Sequence, residues 1–175
     1  MNRRRARPGF SLLELVVVLA IMVTVAALAV PSLRALSELS GETINLGVPT
    51  PLGVEHLAQE DSRHFVGGTN WVGRRVPYES TANGKVLKAF ASRTADGEEI
   101  RTRGYATAVD ELEHGLAAIA APIFGPDGDV VAALSISGPT IRLTRDRIAE
   151  LLPALLEQAG LVSMRLGNHD QRGAA

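Results

Sequence analysis

The sequence contains no cysteine, and only 4% of its 175 residues are aromatic. Without thiols the chain has no disulfide, zinc–thiolate site, iron–sulfur cluster or cysteine nucleophile. It also lacks an excess of either charge, because the formal net charge is −1 at pH 7. Its 17 Gly and 9 Pro residues are too few and too aperiodic for a collagen-like or low-complexity protein. With 46% hydrophobic and 21% charged residues, the composition is that of a folded domain.

The small net charge is unevenly distributed. Arg3, Arg4, Arg5 and Arg7 place four positive charges in residues 1–9, so the rest of the chain carries −5. An acidic body repels phosphate, which argues against a nucleic-acid-binding surface there. A short basic block at one terminus instead indicates a targeting or membrane-topology signal.

A 21-residue apolar stretch, residues 10–30, follows the basic block and is interrupted only by Ser11, Glu14 and Thr24. As an α-helix it is about 30 Å long, close to the thickness of the hydrocarbon core of a bilayer. It is apolar all round, which favours lipid or a fully buried position. We predict a single-pass membrane helix with its N-terminal arginines on the cytoplasmic side. A signal peptide or plain signal anchor is the simpler alternative.

Glu14 marks a candidate functional site, because a carboxylate inside a membrane helix is costly. It lies four residues after Phe10, which directly follows Gly9. This order of basic leader, Gly-Phe, Glu and apolar helix resembles the N-terminus of type IV pilins and pseudopilins over about residues 7–34. The resemblance implies that a prepilin peptidase cleaves after Gly9 and that the new amine of Phe10 is methylated. It also implies that Glu14 pairs with that amine in a neighbouring subunit.

The next part of the chain begins with a boundary and a strand. Pro31 ends the apolar run, at a position where pilins often carry a helix-kinking proline. Gly41 is a natural stop for the short helical segment that follows. The alternation of Ile44, Leu46 and Val48 then predicts a half-buried strand.

The remaining segments indicate both helices and strands. Strands are predicted over residues 54–60, 118–124 and 129–137, helices over 81–91 and 148–162, and polar turns over 94–103. A Gly-Pro-Asp-Gly sequence at 125–128 predicts a hairpin, and Pro153 predicts a kink in the last helix. Helices and strands that interleave around a hairpin predict an α+β fold with a largely antiparallel sheet. We expect residues 168–175 to form a disordered tail.

Three stretches of this body resemble, in the same order, the effector-binding domain of IclR-type transcriptional regulators. They are residues 41–48, residues 72–85, and residues 104–139 with their Gly-Tyr-Ala, Ile-Ala-Ala-Pro and Ala-Leu-Ser-Ile-Ser-Gly-Pro runs. The resemblance implies a GAF-like antiparallel sheet flanked by helices, which holds a small organic acid. The two resemblances together divide the chain into a leader (1–9), a separate apolar helix (10–35), the effector-binding domain (36–167) and the tail.

The residue pattern suits the binding of an acid. Ser135 and Ser137 lie two apart on a predicted strand, so their hydroxyls point to one face. The helix that begins after Thr81 offers free N–H groups and the positive end of its dipole. Thr81 suits an N-cap in either case, and the serines could equally lie on an ordinary solvent-facing strand. The resemblance implies five effector-binding residues: Ala82, Asn83, Asp110, Ser135 and Ser137.

The chain departs from the family pattern at three places. Where the family usually has an acidic residue after its Gly-Tyr pair, this chain has Ala108 and Val109, with Asp110 next. Where many members have Cys, it has Ala118. The segment 91–103 is shorter than the family's helix-containing segment, so we expect one wall of the pocket to be reduced. The identity of the effector is expected to differ accordingly.

Other chemistries find little support in the sequence. The histidines, His56, His64, His114 and His169, are scattered and show no metal-ligand spacing. A triad of Ser135, His114 and Asp110 would lack a nucleophile elbow. We therefore expect no enzymatic activity, cofactor or metal. Trp71, on a Gly-rich loop, could cap a pocket or lie in an oligomer interface.

These observations favour a domain that binds a small carboxylate, forms homo-oligomers and is held at the membrane by residues 10–30. The pilin-like segment stands where the family carries its winged helix-turn-helix, so we expect no direct nucleic-acid binding from this chain. A pilin-like structural subunit with a GAF-like head and a non-functional gene fusion are the alternatives. With the leader inside, the body lies outside the cytoplasm. If the N-terminal segment is a fusion artefact, the chain is cytoplasmic.

Overall fold

The structure, a computed structural model, describes residues 12–64, 69–92 and 95–169. Its helices are α1 (Leu12–Ser40), α2 (Ala82–Ser92), α3 (Glu98–Arg103) and α4 (Arg145–Arg165). Its strands are β1 (Thr43–Thr50), β2 (Gly53–Glu60), β3 (Arg75–Val76), β4 (Ala106–Val109), β5 (Leu116–Phe124) and β6 (Val130–Pro139). Gly9 and Phe10 lie outside the described residues, as does the side chain of Glu14.

Within the described residues, six strands form one antiparallel sheet in the order β3-β2-β1-β6-β5-β4. The predicted hairpin joins β5 to β6. The Gly125 N–H donates to the Asp129 carbonyl at 2.9 Å, and Gly128 takes φ +80°, which glycine adopts at no steric cost. The predicted α+β fold, an antiparallel sheet flanked by helices, is confirmed.

Side chains of different size cover the two faces of the sheet. One face carries large aliphatic side chains that are fully buried beneath α1 and α4: Ile44, Leu46, Ile119, Leu134 and Ile136. The opposite face lies under α2 and carries small side chains, including Ala106, Ala108, Ala120 and Ala133. Because helices cover both faces, β1 is buried on both sides over its first six residues. The prediction of a half-buried strand is therefore wrong.

The predicted apolar helix is present as α1, and its second half belongs to the core of the body. α1 continues through Pro31 and ends where Gly41 takes φ +73°. Val25, Ala29, Leu33 and Leu36 recur at helical spacing, are at most 5% exposed, and pack in one core with α4. The core thus begins at residue 25, ahead of the boundary expected at residue 36.

By length and composition alone, Leu19–Ser40 could cross a membrane, a criterion that core helices and signal sequences also meet. The described part that precedes the core is exposed and apolar. Its exposed large side chains include Leu12, Leu13, Val16, Val17, Leu19, Ile21 and Val23. α1 therefore combines an uncovered apolar half with a half that packs against the body.

Three segments differ from the sequence-based expectation. Residues 95–103, predicted as polar turns, form a 3-10 turn at Ala95–Gly97 followed by α3. The Arg101 guanidinium donates to the Ala89 carbonyl of α2 at 2.7 Å, so this short segment still packs beside α2. The short edge strand β4 was not predicted. Asn168, placed in the expected tail, is buried and donates to the Gly125 carbonyl at 2.8 Å, whereas residues 170–175 lie outside the described residues.

Candidate functional site

A small cavity lies between the small-residue face of the sheet and the start of α2. Its volume is about 50 Å³, more than the roughly 10–15 Å³ that a single water molecule needs. The described residues that line it are Asn45, His56, Trp71, Val76, Ser80, Thr81, Ala82, Asn83, Ala108, Leu112, Leu116, Ala118, Ser135 and Ser137. None of these is a lysine, arginine or carboxylate. Any charge on a ligand is therefore matched by neutral hydrogen-bond donors from these residues.

Ser135 and Ser137 form one wall of the cavity. They share one face of β6, and Leu134 and Ile136 on the other face are fully buried. Asn45, opposite Ser135 on β1, donates its Nδ2 to Ser137 Oγ at 3.1 Å. As a donor to the described residues, each serine hydroxyl has a single contact to a β1 carbonyl at 3.5 Å, the limit of a hydrogen bond, so its proton is available to a ligand. The two serines thus face a cavity, which replaces the alternative of a solvent-facing strand.

The start of α2 forms the opposite wall. Thr81 caps the helix as predicted, because its Oγ1 accepts from the Gly84 N–H at 3.1 Å and its carbonyl accepts from the Lys85 N–H at 3.0 Å. The two N–H groups between them belong to Ala82 and Asn83, which are buried and line the cavity. The cavity therefore brings together four of the five predicted effector-binding residues.

Three buried polar atoms have no hydrogen-bond partner among the described residues: Asn45 Oδ1, His56 Nδ1 and Asn83 Oδ1. All three residues line the cavity, and each is at most 6% exposed. A buried polar atom without a partner costs about 1–3 kcal/mol. Because buried polar atoms in folded proteins nearly always have partners, these three residues mark the cavity as a candidate site for a ligand or ordered water.

His56 contributes a neutral imidazole to this group. Burial lowers the pKa of His56 to about 4, so the ring is uncharged near neutral pH. Its Nε2 lies 3.4 Å from Asn83 Nδ2. Which atom donates in this contact depends on which ring nitrogen carries the proton. The Trp71 ring, tilted by 45° at a centroid distance of 6.2 Å, lies beside it, so Trp71 lines the pocket.

Asp110, the fifth predicted residue, is not among the described residues that line the cavity. It is exposed at φ +58°, and its Oδ1 accepts from the Gly115 N–H at 2.5 Å and lies 3.4 Å from His114 Nδ1. Its carboxylate closes the turn between β4 and β5. Ala108 and Ala118, the positions that depart from the family pattern, do line the cavity.

The sequence analysis did not select Asn45 or His56. A signal for Asn45 is present, since it stands between Ile44 and Leu46 and so faces away from the aliphatic side of its strand. No comparable signal marks His56. Among the described residues, no group of three or more His, Cys, Asp or Glu side chains could hold a metal ion.

Comparison with known families matches both parts of the chain. The model described as "Bacterial transcriptional regulator IclR C-terminal" matches residues 19–98 and 94–164. The model described as "Prokaryotic N-terminal methylation motif" matches residues 4–30. The two matches overlap over residues 19–30, within α1.

Curated relatives and solved structures agree with the first match. The HTH-type transcriptional regulator KdgR of Escherichia coli (strain K12) is 33% identical, with 79% of this chain and 62% of the relative covered. The crystal structure of the C-terminal domain of E. coli KdgR has a TM-score of 0.71 at 31% identity, covering 82% of this chain and 98% of that one. The Thermotoga maritima IclR structure has a TM-score of 0.76 at 27% identity, covering 82% and 68%. The chain spans 54–62% of the first three curated relatives.

Proposed function

The chain belongs to the IclR C-terminal family as an effector-binding domain, and from this premise we propose that its cavity binds a small carboxylate. One observation carries the proposal: Ser135 and Ser137 on β6 share the cavity with Ala82 and Asn83 at the start of α2. Hydroxyls and helix-start N–H groups are the donors that bind carboxylates without a cationic side chain.

The lining residues favour a small ligand with a single charge. The cavity of about 50 Å³ has no lysine or arginine among its described lining residues, so a second carboxylate would lack a counter-charge there. Ala108 and Ala118 line the cavity with small apolar side chains and add neither charge nor a hydrogen-bonding group. The effector is thus held by neutral groups.

Thermal unfolding of the full chain in detergent tests this proposal. We expect millimolar acetate, propionate, pyruvate or lactate to raise the Tm, because a ligand selective for the folded state stabilises it. Ser135→Ala is expected to weaken the binding about tenfold or more, the loss of one hydrogen bond to a charged group. The matched control, Ser92→Ala at an exposed position on α2, should bind as the parent does. A folded chain whose Tm none of these acids moves would contradict the proposal.

We further propose that the N-terminal segment is processed and holds the body at a membrane. The methylation-motif match over residues 4–30 and the exposed apolar half of α1 support this second function. After co-expression with a prepilin peptidase, mass spectrometry should find Phe10 as the N-terminus, carrying one methyl group. An intact N-terminus at Met1 under these conditions would count against it.

The location of the body follows from the orientation of α1. With the arginine leader inside, a C-terminal alkaline phosphatase fusion is expected to be active, because the body lies outside the cytoplasm. A C-terminal fluorescent fusion that requires the cytoplasm is expected to stay dark. The reverse result would place the sensor in the cytoplasm and contradict the proposed orientation.

A further inference from the structure

The unpaired atoms of the cavity do not match a plain carboxylate. Asn45 Oδ1 and Asn83 Oδ1 are hydrogen-bond acceptors, and both are buried without a donor among the described residues. A carboxylate consists of acceptors only. An acid without further groups would therefore leave both amide oxygens unpaired in a site that water no longer fills.

Each of the two side-chain amides has one contact within the described part of the protein, made by its nitrogen. Asn45 Nδ2 is engaged by Ser137 Oγ at 3.1 Å, and Asn83 Nδ2 by His56 Nε2 at 3.4 Å. Gly47 keeps Asn83 close to β1, because a Cβ at this position would lie 3.0 Å from Asn83 Nδ2. Each Nδ2 has one contact and keeps a second N–H, so the acceptors without a partner among the described residues are the two amide oxygens, beside the donors already described at Ser135, Ser137, Ala82 and Asn83.

A hydroxyl group satisfies this set, because it donates one hydrogen bond and accepts others. We propose that the effector is a short hydroxylated carboxylic acid. Its carboxylate lies at the N–H groups of Ala82 and Asn83, and its hydroxyls donate to Asn45 Oδ1 and Asn83 Oδ1. This inference rests on the proposed function, that the cavity binds a carboxylate.

Ordered water is the competing occupant of these positions. Water also donates to buried amide oxygens and is common in polar cavities of this size. If water alone pairs with the two amide oxygens, adding a hydroxyl to the acid does not raise its affinity. The hydroxyl then only replaces the equivalent hydrogen bond from water. The two occupants therefore predict different orders of affinity in a matched series of acids.

The series is propionate, lactate and glycerate, which share a three-carbon chain and carry zero, one and two hydroxyls. Binding to the full chain in detergent is followed by the fluorescence of Trp71, the sole tryptophan and a lining residue. We expect glycerate to bind more tightly than lactate, and lactate more tightly than propionate, by up to about tenfold per hydroxyl. Calorimetry provides a second readout.

Asn45→Leu tests the residue directly, and Gln158→Leu on α4, away from the lining residues, is the matched control. The quantity compared is the ratio of glycerate to propionate affinity, which a general loss of stability does not change. We expect Asn45→Leu to lower this ratio several-fold and Gln158→Leu to leave it unchanged.

The outcomes separate the two proposals. If propionate binds as tightly as glycerate, water occupies the positions and the present inference is overturned, while the proposed function stands. If none of the three acids binds to the folded chain, the proposed function itself fails. A ratio that Asn45→Leu and Gln158→Leu lower equally also overturns the assignment of Asn45.

Discussion

At the scale of single residues, Glu42 and Arg142 form a bidentate ion pair whose carboxylate is buried. The Glu42 side chain is 5% exposed, and its two oxygens accept from Arg142 Nε at 2.7 Å and Nη2 at 2.9 Å. The carboxylate raises the pKa of Arg142. Gly138 leaves room for it, since a Cβ there would lie 2.5 Å from Glu42 Oε2. The pair ties the start of β1 to the segment after β6.

Arg142→Ala is expected to lower the free energy of unfolding by about 1.5–3 kcal/mol, because the buried Glu42 carboxylate loses its bidentate partner and keeps, among the described residues, only a 3.8 Å contact with His64. Urea denaturation of the full chain measures the change. Arg63→Ala is the control, because Arg63 and Glu38 are both more than 60% exposed and their pair contributes less than about 1 kcal/mol. Equal losses in the two variants would refute a special role for the buried pair.

His56 makes the stability depend on pH in a defined window. Its pKa is about 4 in the folded chain, against 6.5 for an unperturbed histidine, so between these pH values the unfolded state binds the extra proton. Stability should fall as the pH drops from 6.5 to 4, by up to about 3 kcal/mol from this group. Urea denaturation across that range should show a steeper dependence for the parent than for His56→Gln. If the free energy of unfolding falls equally with pH in the parent and in His56→Gln, burial does not lower the pKa of His56.

Among the lining residues, Ser135, Ser137 and Asn83 were selected because the family resemblance implies them, and strand alternation and a helix-capping threonine are compatible with that choice. Asn45 has a signal in the alternation of its strand, whereas His56 has none, because its approach depends on how β1 pairs with β2. A register shift between Leu46 and Gly47 sets Gly47 opposite His56, and no local pattern encodes it.

At the scale of elements, α1 has two parts with different surroundings. Thirteen residues from Leu12 to Thr24 precede Val25, the first core residue, and they span about 20 Å. A bilayer core is about 30 Å thick. The predicted membrane helix over residues 10–30 would therefore include Val25 and Ala29, which pack with α4. Arg165 of α4 adds a hydrogen bond to the Leu28 carbonyl at 3.1 Å.

Thiol labelling tests whether α1 stays docked in the full chain. Because the chain has no native cysteine, Val25→Cys and Val23→Cys each introduce a single reactive site. Val23 is 67% exposed and Val25 is 5% exposed. In detergent we expect a maleimide to react with the Val25→Cys variant at least about tenfold more slowly, since reactivity follows exposure. Equal labelling rates for the Val23→Cys and Val25→Cys variants would show that α1 separates from α4.

Helices and strands could be predicted where apolar residues recur with the period of that element. The alternation in β1 and β6 and the helical spacing in α4 predicted those elements, and the Gly-Pro-Asp-Gly turn predicted the hairpin. The beginning of the core within α1 could not be predicted. Lipid and a protein core select the same apolar residues, and only the contact with α4 distinguishes them.

At the scale of the whole molecule, the N-terminal segment and the body share a helix and cannot be cut apart at residue 36. A fragment of residues 36–169 loses Val25, Ala29 and Leu33 from the core. Relative to a fragment of residues 24–169, its free energy of unfolding should be lower by about 4 kcal/mol, since burial of a Val or Leu contributes about 1.5–3 kcal/mol. Urea denaturation of both fragments measures this difference. Equal stabilities would place the boundary at residue 36 after all.

The two faces of the sheet differ in side-chain size and in what they border. One face packs large aliphatic side chains against α1 and α4, whereas the other, with its Ala, Ser and Asn side chains, borders the cavity. Exchanging Ala108 or Ala118 for a larger residue would therefore change which compounds fit the cavity, while the large aliphatic side chains under α1 and α4 stay in place. A single substitution on this face can thus alter ligand choice without altering the larger of the two cores.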